Sequence, residues 1–337
     1  MYALNRWLAT TVGIAMLAGC SGSAQPAMPS GSSPLQAAGR LRESTRADER
    51  FGIDRETYAA RMAARAPGYN AVKRKTPTLF VSDLDAGEIR LYPADKKNPA
   101  QSGSITQGLD EPINAAADSS GTVYVANNGN STVTEYPFGQ TSPSVTLSTS
   151  LVYPNGIAVD SAGTVYVTSG STVGNTYVLE FPKGATSPSA QVNGFGLAIG
   201  LSIDKNDNLY VADAHNNAVF EVAKGSTSPV NLGLSGLDDP TGVAIDPSGD
   251  LYVTNEFPPY SVNAFHHGKT SPFLSITDGI AGPYALAFDS KGVLFVGNSD
   301  KQPGYIAAYK KNKTSPYETF SNGIENPAGV AAYPPAF

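Results

Sequence analysis

A pattern that recurs every 43 residues or so, several strand-like segments within each recurrence, and an excess of turn formers predict an all-β chain. Six recurrences of four strands each predict a six-bladed β-propeller, its ring closed by the C-terminal strand pairing with the first blade. Glycine and proline account for 34 and 25 of the 337 residues. That is about half again the average usage of the pair. It sits beside 17 Tyr and 13 Phe, the mark of short packed strands joined by many turns rather than of an uncollapsed chain.

The most regular element of each unit is TLFVSD, TVYVAN, TVYVTS, NLYVAD, DLYVTN or VLFVGN. These segments end at Asp83, Asn127, Ser169, Asp213, Asn255 and Asn298, with spacings of 44, 42, 44, 42 and 43 residues. β-Branched and aromatic residues alternate with small ones, as in a strand buried between sheets. An earlier strand precedes five of them: INAAAD, NGIAVD, GLSID, TGVAID and YALAFD. Each ends in an Asp able to bond its own turn, followed by a relaxing Gly. A third strand follows (EIRLYP, TVTEYP, YVLEFP, AVFEVA, SVNAFH, YIAAYK). A turn then leads to Thr-Ser-Pro in five units, with Lys97-Asn98-Pro99 in the first. The first unit lacks an innermost strand, and Pro327–Ala332 near the chain end supplies one. Such closure leaves no free edge between the first and last blades. The period excludes the shorter, partly helical solenoids.

The repeated Pro-x-Gly-(Ile/Val)-Ala-(Val/Ile)-Asp, followed by Gly-x-(Val/Leu)-Tyr-Val-(Ala/Thr)-(Asn/Asp), resembles the NHL repeat over residues 76–337. The resemblance implies the fold and leaves function open, since function resides in sites grafted on folds. In that family ligands usually bind on the face formed by the loops between strands two and three and by the crossings between blades.

The first 19 residues read as a secretory signal peptide: one base, Arg6, precedes a short apolar run from Trp7 to Ala18. Leu17-Ala18-Gly19-Cys20 resembles the bacterial lipobox, and Cys20 is the only cysteine. The resemblance implies acylation at Cys20 and, with Ser21 following, an outer-membrane lipoprotein facing the periplasm. Residues 20–39 carry the lipidated Cys and an uncharged Ser/Gly/Pro/Ala tether. Residues 40–75 form a charged extension. An amphipathic helix docked on the body, a solvated helix and a disordered segment all remain open there.

Charge divides the chain. Residues 76–337 hold 24 acids and 12 bases, whereas residues 21–75 hold ten bases and five acids. An acidic body without a basic stripe excludes nucleic acid as partner. One Cys and three His exclude a disulfide framework and a multi-Cys metal site, and no cofactor is expected. The expected partners are the membrane, through the anchor, and a protein or small polar ligand; the chain is expected to be a monomer.

Three constellations invite chemistry. The residues ending the six regular strands could line a hard-cation site, but their recurrence in every blade favours capping of each strand's own turn. Asp204-Lys205-Asn206-Asp207-Asn208 starts like a calcium loop, but Leu209 stands where Gly is needed, so it reads as a turn. A ring position at the channel mouth holds Ile113, Asn155, Ile199, Thr241, Tyr284 and Ala328. In gluconolactonase-type propellers metal-binding residues occupy comparable positions; here only Asn155 is ligand-like, so that tetrad does not carry over. The ligand-binding candidates are Asn155, Thr241 and Tyr284, with Glu256, Phe257 and Tyr260 of the 256–260 loop; for Tyr284 the alternative is a core residue that plugs the channel. The favoured function is a lipid-anchored binding or scaffold module without catalysis. A propeller hydrolase or lyase is the second reading.

Overall fold

The computed structural model describes residues 76–337; Cys20, the tether and the charged extension lie outside the described residues. Within them the chain forms 24 strands, β1–β24, arranged as six four-stranded antiparallel sheets. Each sheet is one blade, and the expected six-bladed propeller is observed.

The inner strands are β24 (Pro327–Tyr333), β4 (Pro112–Ala117), β8 (Ile157–Val159), β12 (Ala198–Ile203), β16 (Pro240–Ile245) and β20 (Pro283–Phe288), for blades 1 to 6. They neighbour one another in that order around the axis. The regular sequence pattern forms the second strands: β1 (Thr78–Asp83), β5 (Val123–Asn127), β9 (Val165–Ser169), β13 (Leu209–Asp213), β17 (Leu251–Asn255) and β21 (Leu294–Asn298). Every residue of these six strands is buried, because packed blades cover both faces. Blade 1 joins the first and last strands of the described residues. β24 pairs with β1 from Thr78↔Tyr333 to Asp83↔Pro327, and β2 (Glu88–Pro93) and β3 (Gly103–Ile105) complete it.

Apolar side chains lie between adjacent blades. Phe80, Ile89, Val123 and Tyr136 join blades 1 and 2; Tyr252, Ala264, Phe288 and Leu294 join blades 5 and 6. A larger cluster joins blades 6 and 1 and continues into the centre through Ile113, Ile199, Tyr284 and Ala328. Burying each large aliphatic or aromatic side chain contributes about 1.5–3 kcal/mol.

The turns after the inner strands follow the expected chemistry. Oδ1 of Asp160 accepts from the amides of Ala162 (2.9 Å) and Thr164 (2.7 Å). Asp118, Asp204, Asp246 and Asp289 make the same pair of bonds. The calcium-like segment at 204–208 is therefore such a turn. Its Asp207 is bonded to Lys224 Nζ at 2.6 Å and to the Ser161 amide at 2.9 Å, linking blades 3 and 4.

Candidate functional site

Inner strands approach one another at a glycine just past the ring position. A Cβ on Gly156 would stand 2.0 Å from the carbonyl oxygen of Ile199. On Gly200 it would stand 2.5 Å from that of Thr241, and on Gly242 2.8 Å from that of Tyr284. On Gly329 it would meet the Ile113 carbonyl at 2.7 Å. Real Cβ atoms do not approach oxygen so closely, so in these four blades the glycine permits the close approach, while blades 2 and 6 carry Asn114 and Ala285 at the same position. Five inner strands also carry a register irregularity near this level. Such bulges bend a strand and re-aim its side chains.

The six ring residues are each at most 1% exposed. Asn155 of blade 3 and Tyr284 of blade 6 meet across the axis. Asn155 Nδ2 donates to Tyr284 Oη at 3.0 Å, and the hydroxyl lies 3.3 Å from Asn155 Oδ1. Thr241 Oγ1 is 3.0 Å from Thr254 Oγ1 and bonds the Pro283 carbonyl at 3.3 Å. Thr254 Oγ1 in turn accepts from the Gly242 amide at 2.6 Å, and Thr168 Oγ1 does the same for Gly156. Of the three inner candidates, Asn155 and Tyr284 are bonded to each other, whereas Thr241 is bonded to Thr254 and the Pro283 carbonyl; all three are buried.

The other candidates lie on the rim. Tyr260 Oη donates to Asp300 Oδ2 at 2.7 Å, tying the blade 5 loop to the blade 6 loop. The Glu256 amide donates to the Asp239 carbonyl of the preceding crossing at 3.2 Å. Glu256, Phe257 and Tyr260 are half-buried, and Pro258 and Pro259 between them are exposed. The loop is therefore a braced ridge with an apolar crest.

The strand-end residues are caps, but the expectation that each caps its own turn needs correction. Their main acceptor role is toward the crossing that enters the blade. Asn298 accepts from the Ala281 amide, Asn255 from Asp238, Asn127 from Asp110 and Ser169 from Val152. Asp213 binds the Gly196 and Leu197 amides at 2.7 and 2.8 Å. Asp83 binds those of Glu325 and Asn326 at 2.9 and 3.0 Å, and these two aspartates also accept from amides in their own turns. Asp83 is fully buried and paired with Arg90 Nε at 2.6 Å, and Arg90 also meets Glu88 at 3.0 Å. Among the described residues no group of three His, Cys, Asp or Glu is placed to hold a metal ion. His266 bonds Asp250 at 2.9 Å and stacks on Phe273, on the side away from His215.

Sequence reasoning missed the glycine contacts. Their signal was present in the recurring Pro-x-Gly, whose glycine marks close approach of two backbones.

The closed ring and plugged axis define a six-bladed β-propeller. No protein-family model matches the chain, and no curated protein matches it in sequence. Among solved structures it is similar to a chain of the nidogen–laminin complex, at 16% identity and a TM-score of 0.62, over 76% of this chain and 98% of that one. It is also similar to a protein of unknown function from Bacteroides caccae (11%, 0.59, 77% and 99%). A third is a catalytically inactive virginiamycin B lyase from Staphylococcus aureus crystallised with quinupristin (12%, 0.52, 77% and 88%). At these identities the likeness is one of fold alone.

Proposed function

We propose that the chain is a lipid-anchored, extracytoplasmic propeller of the NHL-repeat kind, serving as a binding or scaffold module for a protein or small polar ligand. Acylation at Cys20 holds it to the outer membrane, facing the periplasm. The observation that carries the binding reading is the plugged axis. With Asn155, Thr241 and Tyr284 each 1% exposed, recognition falls to the rim loops. The braced 256–260 ridge joins an apolar crest to carboxylates, a composition suited to sugars or peptides.

Two measurements test this. Cys20→Ser should move the protein from the membrane fraction to the soluble one, or block maturation; unchanged fractionation with no acyl mass on the wild type overturns the anchor. A glycan and peptide array read with the wild type and with Phe257→Ala and Tyr260→Ala tests the ridge. Truncating such anchors should weaken a binder by about 1–3 kcal/mol with little change in melting temperature. A binder indifferent to both variants overturns the ridge as its site.

A further inference from the structure

On the face opposite the 256–260 ridge, the turns between third and fourth strands form an outer rim that gathers lysines and exposed apolar side chains. Five large hydrophobic side chains are exposed among the described residues, and three of them hold one repeat position, the residue after Thr-Ser-Pro. They lie in consecutive blades: Val230 in blade 4 (63% exposed), Phe273 in blade 5 (36%) and Tyr317 in blade 6 (41%). Blades 2 and 3 carry Ser144 and Ser189 there. Lys269, Lys310 and Lys313 stand in the turns that lead to Phe273 and Tyr317, and Lys96 and Lys97 in the corresponding turn of blade 1. All five lysines are exposed and form no ion pair among the described residues, whereas Lys224 and Lys311 of the same rim are paired with Asp207 and Asp246. The Lys310 ammonium is 5.3 Å from the centre of the Tyr317 ring. The blade 1 turn is fixed against blade 6, since the Asn98 amide donates to Glu318 Oε1 at 2.8 Å. That bond engages one carboxylate of the rim. Asp95 is exposed beside Lys96, and the turn aspartates of this face accept from the amides of their own turns.

Lysines interleaved with apolar tips suit the surface of an anionic bilayer. Ammonium groups are drawn to headgroup phosphates while apolar side chains enter the interface. The point where the chain enters the propeller favours a membrane over an acidic protein. Thr78 lies opposite Pro93, the last residue of β2, and the Ala94 amide donates to the Pro77 carbonyl at 2.9 Å. The described chain therefore begins on this same face, at the turn that carries Lys96 and Lys97. We propose that this rim lies against an anionic lipid bilayer, with the lysines at the phosphates and Val230, Phe273 and Tyr317 in the interface. The 256–260 ridge then looks away from the membrane. The choice of a bilayer rests on the lipid-anchor reading given above, since an anchor entering on this face holds the rim at high effective concentration beside the headgroups.

Vesicle binding by residues 20–337 carrying Cys20→Ser tests the rim without an acyl chain. Its failure is thus separable from failure of the anchor, which fractionation reads. The protein should sediment with vesicles of phosphatidylglycerol mixed with phosphatidylcholine. Binding should be at least about tenfold weaker in 1 M NaCl, where the Debye length is near 3 Å, and on phosphatidylcholine alone. Lys96→Glu and Lys97→Glu with Lys310→Glu and Lys313→Glu should weaken binding to the anionic vesicles by about tenfold or more, with little change in melting temperature. The chain's single Trp, Trp7, lies outside this protein, so Tyr317→Trp supplies a local reporter. Its fluorescence should shift to the blue on anionic vesicles and be quenched by brominated lipid, whereas Phe257→Trp on the ridge should respond to neither. Binding unchanged in the lysine variant overturns the proposal, as does a response of the Phe257→Trp reporter. So does absence of binding to anionic vesicles at low salt, which would point to an acidic protein as the partner of the rim.

Discussion

Asn155 and Tyr284 lie 129 positions apart in sequence, and their side chains bond each other twice across the propeller axis, at 3.0 and 3.3 Å. They belong to opposite blades, so the pair ties the ring across its diameter. The phenol also fills volume among Ile113, Ile199 and Ala328.

Tyr284→Ala should therefore behave as a core lesion, costing about 3–5 kcal/mol. Tyr284→Phe keeps the ring and drops the hydroxyl. It should cost about 1–3 kcal/mol, because the Asn155 amide is left buried without its partner. Thermal melts of the two variants check both values. A near-wild-type melt for the Ala variant would return Tyr284 to the list of ligand contacts.

Gly156→Ala drives a Cβ to 2.0 Å from the Ile199 carbonyl oxygen, a backbone atom that cannot swing away. The expected cost is about 3 kcal/mol or more, beyond ordinary overpacking. Gly184, with a φ of +77° and nothing within 4 Å of an added Cβ, pays only the left-handed backbone term of about 1–2 kcal/mol. Denaturant melts of the two alanine variants should rank them in that order.

Much of this was legible before any coordinates. The six units and the closing strand follow from periodicity, and counting placed Asn155 and Tyr284 at one ring position without showing that they bond each other. Whether Tyr284 plugs the channel as core or faces a ligand is left open by the sequence. It depends on how near adjacent blades approach, which Gly156, Gly200, Gly242 and Gly329 set through contacts between different blades. The target of Asp83 was hidden for a related reason. Local rules describe a cap within its own turn, whereas Asp83 binds amides at 325 and 326 that only ring closure brings near.

Arg90→Met should be severe. Asp83 is fully buried and would lose its cation while still facing Glu88, which itself contacts Arg90. Breaking a buried pair from one side costs about 3–5 kcal/mol. Asp83→Asn combined with Arg90→Met should recover part of the loss. A double-mutant cycle on melting measures this; strict additivity would refute the coupling.

Burial pushes the carboxyls of Glu135 and Glu180 above the usual range, and Asp118 and Asp160 respectively add repulsion. A raised pKa means the folded state holds the proton more tightly than the unfolded chain does. The penalty is absent below the unfolded pKa and grows as pH rises through the folded one. Glu135→Gln and Glu180→Gln should therefore stabilise at pH 7. The gain should be a few tenths of a kcal/mol, since both side chains keep partial solvent contact. It should vanish near pH 4 and below. Melting curves at the two pH values check the sign.

Blade 1 carries a consequence for the order of events during synthesis. β1 is among the first strands to emerge and β24 is the last, yet the two pair along their whole length. Until Pro327–Tyr333 emerges, β1 presents an open edge, the kind of exposure that invites aggregation and holding by chaperones. A prematurely ended chain never loses that edge, so it stays marked as incomplete. Ring closure thus depends on Pro327–Tyr333 having been made: only a chain that reaches β24 can cover the edge of β1.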